Sequence, residues 1–315
     1  MDLAIDANRP DVIELLIKKF HADLELEIGH GKTSLFTAVD TDNVPVTKQL
    51  LDNGACVNHR DWMGGTPLFL AVIKRQPVMV ELLISYGADV NMMAYRYARE
   101  DRCFDLGDGA TMLETALVQY ERFHRVLRFD LTLASLNARI NQHFDVIKLL
   151  VPHCKSFDVT AITKEGNYIT IPSVEACFMT ESKYCYDLRI TNFLLRNGAT
   201  ADFGVFYDTA KSHVYNADLV TASFVKLCLL SGCTFNQYFA KVKQEEEQRP
   251  AGQDHRAKHV HSLVKDLFSQ PLSLQELSIM VTRKRMGSRH LWAKIAALPE
   301  GLPRHVKDMI QLKTY

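Results

Sequence analysis

The feature that most constrains the fold is a repeat of 33 residues in the first part of the chain. The segment GKTSLFTAV aligns with GGTPLFLAV, which places Thr33 and Thr66 33 residues apart. Gly54 and Gly87, in NGACVN and YGADVN, keep the same interval. A period of about 20–50 residues indicates a stack of small units that each contact their neighbours, rather than a domain with one compact core.

The sequence GACVNHRDWMGGTPLFLA, residues 54–71, resembles the ankyrin repeat. Thr66 can cap the first helix of such a repeat, and Pro67 suits its first position because proline has no amide hydrogen to leave unpaired. Gly54 and Gly87 are expected to end second helices, where the backbone must be left-handed. The resemblance implies an all-α ankyrin-repeat solenoid of helix–turn–helix units with hairpin fingers.

Weaker copies of the unit flank this pair. Residues 11–25 are typical of the second helix of an opening repeat, and GATMLETALVQ restarts the motif at Thr111. Three further segments have the pattern of second helices: 143–154, 190–202 and 224–236. The sequence therefore predicts about six repeats over 1–240, regular over 30–90 and degenerate after 117. Between 117 and 142 the register is open, because either an insertion or a half-repeat fits.

Binding of a protein partner is the function expected of such a stack, because it presents a long curved surface and has no active-site pocket of its own. The segment 91–109 is longer than the period allows and is expected to form a long finger. Tyr, Trp and Arg are enriched at interface hot spots. The candidate target-binding residues are Trp62, at a predicted hairpin tip, and Tyr95, Arg96, Tyr97 and Arg99 in the finger. The alternative is that these side chains pack on the stack or are simply solvated.

Composition argues against nucleic-acid or membrane binding, a disulfide framework and a zinc finger. Lys+Arg and Asp+Glu number 37 each, so no net charge draws the chain to nucleic acid or to an anionic membrane. The seven cysteines are odd in number and contain no CxxC, which argues against a disulfide framework and a zinc finger. The sequence predicts neither a signal peptide nor a membrane span of about 20 apolar residues. We expect a reduced protein of the cytoplasm or nucleus without a nucleic-acid or membrane partner.

The chain is expected to be non-catalytic and to need no cofactor. Cys154 follows His153, but consecutive side chains on a helix do not face each other, so the pair does not predict a nucleophile and its base. Three histidines lie close together in sequence: His255, His259 and His261. No carboxylate or cysteine completes a ligand set at a standard spacing, so a polar linker over 241–262 is favoured over a metal site.

The C-terminal segment has a different pattern. Ser273 and Glu276 form a predicted capping box immediately before an apolar run. Within that run Leu274, Leu277 and Val281 fall at i, i+3 and i+7, on one face of a helix. Gly287 ends the helix, and two more apolar segments follow at 290–299 and 306–312. Three short helices are therefore expected within 263–315.

This tail is similar to a SOCS box. The similarity rests on S-L-x-x-L, then R-K-x-M-G, then L-W-x-x-I-x-x-L-P, in that order. With the upstream repeats, the whole chain resembles the ankyrin repeat and SOCS box proteins. The resemblance implies a substrate-recognition subunit of an elongin–cullin–RING ubiquitin ligase. Its repeats would bind a target for ubiquitination and degradation, and its tail would bind elongin B–elongin C and a type-five cullin with its RING protein.

The resemblance also implies roles for individual residues. The positions that match the elongin C-binding helix are Leu274, Leu277, Ser278, Val281 and Thr282. The positions that match the cullin-selecting region are Leu298, Pro299, Leu302 and Pro303. Ser278 and Thr282 replace a cysteine and an aliphatic residue of the family, and L-P-E-G-L-P is two residues longer than the family's Leu-Pro-x-Pro. The alternative function is a non-ligase ankyrin scaffold whose C-terminal helices only cap the stack.

Overall fold

The computed structural model describes most of the chain. The described residues are 1–93, 111–126, 133–162, 168–184, 188–212, 216–248, 255–287, 291–298 and 303–312. Their regular secondary structure is helical apart from two strands, β1 (Asp158–Ile162) and β2 (Tyr168–Pro172), which pair with each other. The predicted all-α class is thus confirmed apart from this hairpin. The chain divides into two compact units, Met1–Cys154 with Thr160–Thr170, and Lys155–Val159 with Ile171–Tyr315.

In its described part, the first unit contains four helix pairs. They are α1 (Asp2–Asp6) with α2 (Pro10–Lys18), α3 (Ser34–Asp40) with α4 (Val44–Asp52), α5 (Pro67–Lys74) with α6 (Pro77–Ser85), and α7 (Met112–Val126) with α8 (Leu133–Leu150). A 3-10 turn, Val151–His153, follows α8. First helices pack on first helices and second helices on second helices, so the pairs form a continuous row.

The repeat motif residues act as predicted. The Thr66 hydroxyl accepts a hydrogen bond from the amide of Phe69 at 3.2 Å and so caps α5, and Pro67 occupies the first helical position. Gly54 and Gly87 follow α4 and α6 with φ angles of 91° and 86°. These left-handed angles are the ones that a residue with a side chain rarely adopts, which explains why glycine recurs there.

The described residues of the open-register segment, 117–126 and 133–142, belong to one pair of long helices. Helix α7 continues to Val126, α8 begins at Leu133, and the two helices pack on each other. Thr111 restarts the repeat with a capping box, since its hydroxyl accepts from the amide of Glu114 at 3.2 Å and the Glu114 carboxylate accepts from the amide of Thr111 at 3.1 Å. The described residues of this segment therefore favour one elongated repeat over an additional half-repeat.

The second unit begins with three more helix pairs. They are α9 (Ser173–Tyr184) with α10 (Arg189–Arg196), α11 (Phe203–Lys211) with α12 (Ala222–Ser231), and α13 (Asn236–Gln248) with α14 (His255–Ser269). A 3-10 turn, Ala217–Leu219, precedes α12. Aromatic rings fill much of this core: Phe178 lies 4.8 Å from Phe206, and Phe203 stacks on Phe235 at 4.7 Å between ring centroids.

The described residues of the expected polar linker over 241–262, namely 241–248 and 255–262, are helical. Helix α13 extends to Gln248, and α14 begins at His255 and packs against α11 and α12. Three apolar side chains of α14 are buried: Ala257, Val260 and Val264. Their spacing of i, i+3 and i+7 is that of a helix face, and it was missed in a segment dominated by charged residues. The described residues therefore contain seven helix pairs, where about six were expected.

Three short helices follow, as predicted: α15 (Leu274–Met286), α16 (Leu291–Ala296) and α17 (Arg304–Ile310). They share a small apolar cluster made by Leu291, Ile295 and Ile310, with Met286, Leu298 and Val306 packed against it. Since α14 spans the expected boundary at 263 and packs on α11 and α12, the three-helix tail begins after Ser269. Across the described ranges, no helix combines the length and the apolarity that a bilayer crossing requires.

Candidate docking surface

Helix α15 begins and ends where the sequence predicts. The Ser273 hydroxyl accepts from the amide of Glu276 at 3.3 Å, and the Glu276 carboxylate accepts from the amide of Ser273 at 2.8 Å. These two bonds are the reciprocal pair of a capping box. Gly287 follows the helix with φ of 71° and ψ of 163°, a conformation outside the helical region.

The helix has two faces of opposite character. Its buried residues are Glu276, Ile279 and Arg283. The five predicted elongin C-binding residues all lie on the other side: Leu274, Leu277, Ser278 and Val281 are exposed, and Thr282 is half-buried. At about 100° per residue these five positions span an arc of about 140°. Leu274 is 83% exposed, so the apolar stripe faces solvent and not the core of the second unit.

Glu276 anchors the N-terminal turn of α15 to helix α12. Its second carboxylate oxygen forms an ion pair with Lys226 of α12. Glu276 is 7% exposed, and the hydrogen bond from Lys226 lowers the pKa of its carboxyl group below the ordinary 4.5. The capping carboxylate therefore has two structural roles: it satisfies the amide of Ser273, and it ties α15 to α12.

Arg283 anchors the C-terminal half of α15. Its Nη1 donates to the carbonyl oxygens of Arg196 at 3.0 Å and Ile310 at 2.8 Å, and its Nη2 donates to that of Leu195 at 2.9 Å. Leu195 and Arg196 are the last residues of α10, and Ile310 is the last residue of α17. Burial lowers the pKa of the guanidinium to about 10, so Arg283 stays protonated at neutral pH.

A groove of about 260 Å³ separates α15 from α17. Its lining residues on α15 are Leu274, Gln275, Ser278, Ile279 and Thr282, and those on α17 are Val306, Met309 and Ile310. Three of the five predicted elongin C-binding residues thus lie on one wall of the groove. Leu277 and Val281 extend the same apolar surface along the outer side of the helix. The arrangement suits a partner that presents an apolar surface to α15.

The predicted cullin-binding residues are described in part. Leu298 is half-buried and packs on the small cluster of the tail, and its carbonyl oxygen accepts from the Lys307 ammonium at 3.0 Å. Pro303 is exposed and occupies the N-cap position of α17. Pro299 and Leu302 lie outside the described residues.

Trp62, a predicted target-binding residue, is 73% exposed. Its amide donates to the carbonyl oxygen of His30 at 3.0 Å, and its ring meets the His30 ring edge-on at 5.7 Å. The neighbouring fingers therefore support the indole and leave most of it in solvent, which is consistent with a contact residue. The other four candidates, Tyr95, Arg96, Tyr97 and Arg99, lie outside the described residues.

The sequence raised two alternatives, a metal site at the histidines of 255–261 and a nucleophile at Cys154, and the structure describes the surroundings of both. His261 lies with Nδ1 2.9 Å from the Tyr238 hydroxyl, and His259 is exposed. Within the described ranges no three His, Cys, Asp or Glu side chains group as metal ligands. The Cys154 thiol donates to the carbonyl oxygen of Leu150 at 3.2 Å, and burial raises its pKa to about 12. That thiol is not a nucleophile at neutral pH.

Sequence reasoning missed the residues that orient the surface. In the sequence Arg283 is only the first residue of the R-K-x-M-G motif, whereas in the structure its guanidinium donates to the ends of two other helices. The sequence signal that could have identified these residues is their spacing. Glu276 and Arg283 are seven residues apart, on the face opposite the stripe, as is expected of polar residues that face inward together.

Comparison with known proteins agrees with the repeat pattern. A family model described as ankyrin repeats in three copies matches residues 1–94. These residues are ankyrin repeats. Stacks of ankyrin repeats present a surface on which protein partners can be held.

Individual relatives match over part of their length. Mouse ankyrin repeat and SOCS box protein 11 is 30% identical over 118 residues, which is 38% of this chain and 35% of the relative. Putative ankyrin repeat protein FPV216 of fowlpox virus is 28% identical over 147 residues, 45% of this chain and 46% of the relative. The human mitochondrial disaggregase is 33% identical over 81 residues, 24% of this chain and 12% of the relative. The chain thus spans about a third to a half of the first two relatives.

Proposed function

We propose that this chain is the substrate-recognition subunit of an elongin–cullin–RING ubiquitin ligase. The ankyrin repeats bind the target protein, the exposed face of α15 binds elongin C, and the segment from Leu298 to Pro303 contacts a type-five cullin. The observation that carries the proposal is the orientation of α15. Its apolar stripe faces solvent, while the polar side chains of Glu276 and Arg283 attach it to the repeats.

The chain itself is non-catalytic on this proposal and contributes proximity. By holding a target and the elongin–cullin scaffold together, it raises the effective concentration of the target beside the charged conjugating enzyme. The recruited RING protein and its conjugating enzyme then transfer ubiquitin to the target. No cofactor is required of this chain, and the complex acts in the cytoplasm or nucleus.

The energetics of α15 favour docking over simple capping. A helix that only closed the stack would bury Leu274, Leu277 and Val281, since burial of one such side chain is worth about 1.5–3 kcal/mol. Here the same helix buries a carboxylate and a guanidinium and leaves the stripe in water. Exposed apolar patches rimmed by polar residues mark interaction sites.

The order of motifs in the tail is a second line of support, because it resembles a SOCS box. The mouse relative whose name includes a SOCS box is a third, although its match covers 35% of that protein. The second candidate function is a non-ligase ankyrin scaffold. The matches to ankyrin proteins whose names include no SOCS box, such as the fowlpox protein, favour this candidate.

Co-expression with elongin B and elongin C, followed by size-exclusion chromatography, tests the proposal. Wild type and two variants are compared: Leu274→Asp on α15, and Leu3→Asp on α1, where the leucine is similarly exposed at 86%. We expect wild type and Leu3→Asp to co-elute with the elongin pair and Leu274→Asp to elute alone. Failure of wild type to co-elute, or co-elution of Leu274→Asp, would refute elongin docking at α15 and favour the scaffold.

A further inference from the structure

We propose that Arg283 is the positioning residue of the docking surface, which clamps α15 between the ends of α10 and α17 and keeps the α15–α17 groove formed before a partner arrives. The identity of that partner rests on the proposed function. The clamp itself is a property of the free chain.

The hydrogen bonds of Arg283 satisfy the ends of two helices at once. The last carbonyl groups of a helix have no partner within it, and their dipoles favour a cation. Leu195 and Arg196 end α10, Ile310 ends α17, and the Arg283 guanidinium donates to all three carbonyl oxygens at 2.8–3.0 Å. Arg283 is 5% exposed, so these bonds are made out of water, where an unpaired carbonyl is costly.

The groove depends on this contact because α17 is a short helix. Its seven residues, Arg304–Ile310, are too few for a stable isolated helix. One wall of the groove consists of Val306, Met309 and Ile310, so the position of α17 decides whether the groove exists. The bond from Arg283 to the Ile310 carbonyl oxygen holds the end of that wall against α15.

An arginine side chain is suited to this position in a way that lysine is not. The guanidinium presents five donors in a planar fork, whereas an ammonium group presents three donors from one point. The acceptors here belong to two helices. Nη1 alone donates to one carbonyl oxygen of α10 and to one of α17. Lysine therefore keeps the charge but does not bridge α10 to α17.

Arg283 acts on the partner indirectly. It lies on the buried face of α15, opposite Leu274, and so does not touch a protein that docks on the stripe. Removing it lowers the fraction of molecules in which the groove is formed, and the apparent association rate falls with that fraction. The contacts made after docking are unchanged, so the dissociation rate is retained.

The first test is amide hydrogen exchange of the free full-length chain. The variants are Arg283→Met, Arg283→Lys and, as a matched control, Arg285→Met, which removes an exposed arginine of the same helix. In Arg283→Met we expect exchange of the α17 amides to rise at least tenfold, with α11 and α12 unchanged. Arg283→Lys should resemble Arg283→Met, and Arg285→Met should resemble wild type.

Three results would overturn the clamp. One is unchanged exchange of α17 in Arg283→Met, which would mean that the bonds do not hold the helix. Another is wild-type exchange in Arg283→Lys, which would mean that charge alone suffices. The third is an equal rise across α11, α12 and α17, which would make Arg283 a residue of the general core.

The second test measures association and dissociation rates with purified elongin B–elongin C. For Arg283→Met we expect an association rate at least tenfold lower and a dissociation rate within twofold of wild type. A faster dissociation with unchanged association would contradict a positioning role. If wild type does not bind the elongin pair at all, the proposed function fails, and hydrogen exchange alone decides whether Arg283 is a clamp.

Discussion

Glu276 and Leu277 are consecutive residues of α15, yet Glu276 is 7% exposed and paired with Lys226, whereas Leu277 is 44% exposed. Carboxylates are rarely buried unless they are paired, and leucines usually are buried. The reversal of this preference within one helix is what an intermolecular docking surface requires, because the apolar side is kept for a partner.

Leu274→Asp should leave the free energy of unfolding within about 0.5 kcal/mol of wild type, because the side chain is 83% exposed. Ile279→Asp on the same helix should destabilise the second unit by several kcal/mol, since Ile279 is 4% exposed and a buried unpaired charge is costly. Urea denaturation of the two variants checks this contrast. A large loss of stability in Leu274→Asp would favour a tail that only caps the stack.

Ser278→Cys and Thr282→Val should tighten binding of elongin B–elongin C. The wild-type hydroxyl groups line the groove wall, and each loses water on docking at a cost of about 1–3 kcal/mol if the partner offers no hydrogen bond. A gain of 1.4 kcal/mol corresponds to a tenfold lower Kd, which calorimetric titration resolves. Gln275→Ala, in the same groove, provides a matched control. An unchanged Kd in both variants would mean that these side chains stay outside the interface.

Glu276→Gln should destabilise the second unit at pH 7 and have little effect in strong acid. The hydrogen bond from Lys226 lowers the folded-state pKa of Glu276 below 4.5, so its stabilising contribution is complete above that pH and is lost as the pH falls through the lowered value. Glutamine still accepts from the Ser273 amide, so the comparison isolates the ion pair. Unfolding measured from pH 7 to pH 3 checks the trend. A difference between wild type and variant that does not depend on pH would contradict it.

Thr66→Val should lower the free energy of unfolding and Thr33→Val should not, although the two threonines hold the same repeat position. The Thr66 hydroxyl accepts from the Phe69 amide, and loss of such a cap costs about 1 kcal/mol. The Thr33 hydroxyl is buried and has no hydrogen-bond partner among the residues that the structure describes, so a methyl group there should be neutral or stabilising by about 1 kcal/mol. Chemical denaturation of both variants checks this. An equal loss of stability in the two variants would contradict this difference between the two hydroxyl groups.

The parts of the fold that follow from local rules were predictable from the sequence. Thr66 caps α5, Gly54 provides the left-handed backbone after α4, and Ser273 caps the start of α15. Each of these roles depends only on residues a few positions away in the chain. The apolar spacing of Leu274 and Leu277 likewise predicted a shared helix face. Such features require no knowledge of what lies across the fold.

The features that depend on distant partners were not predictable. Arg283 meets carbonyl groups that lie 87 and 88 residues earlier in the chain, and Glu276 meets Lys226 of another helix. Whether the stripe of α15 faces inward or outward is likewise decided by those contacts and not by its own pattern. Helix α14 was missed because its buried residues, Ala257, Val260 and Val264, are sparse among polar neighbours.

The most direct test of the central claim is a hydrogen-exchange footprint of elongin B–elongin C on the full-length chain. We predict slower exchange confined to α15 and α17, centred on Leu274–Thr282 and on Val306–Ile310, with exchange of α1–α6 unchanged. Protection that appears on the repeats and spares α15, or no protection at all at saturating elongin, would contradict the assignment of this surface.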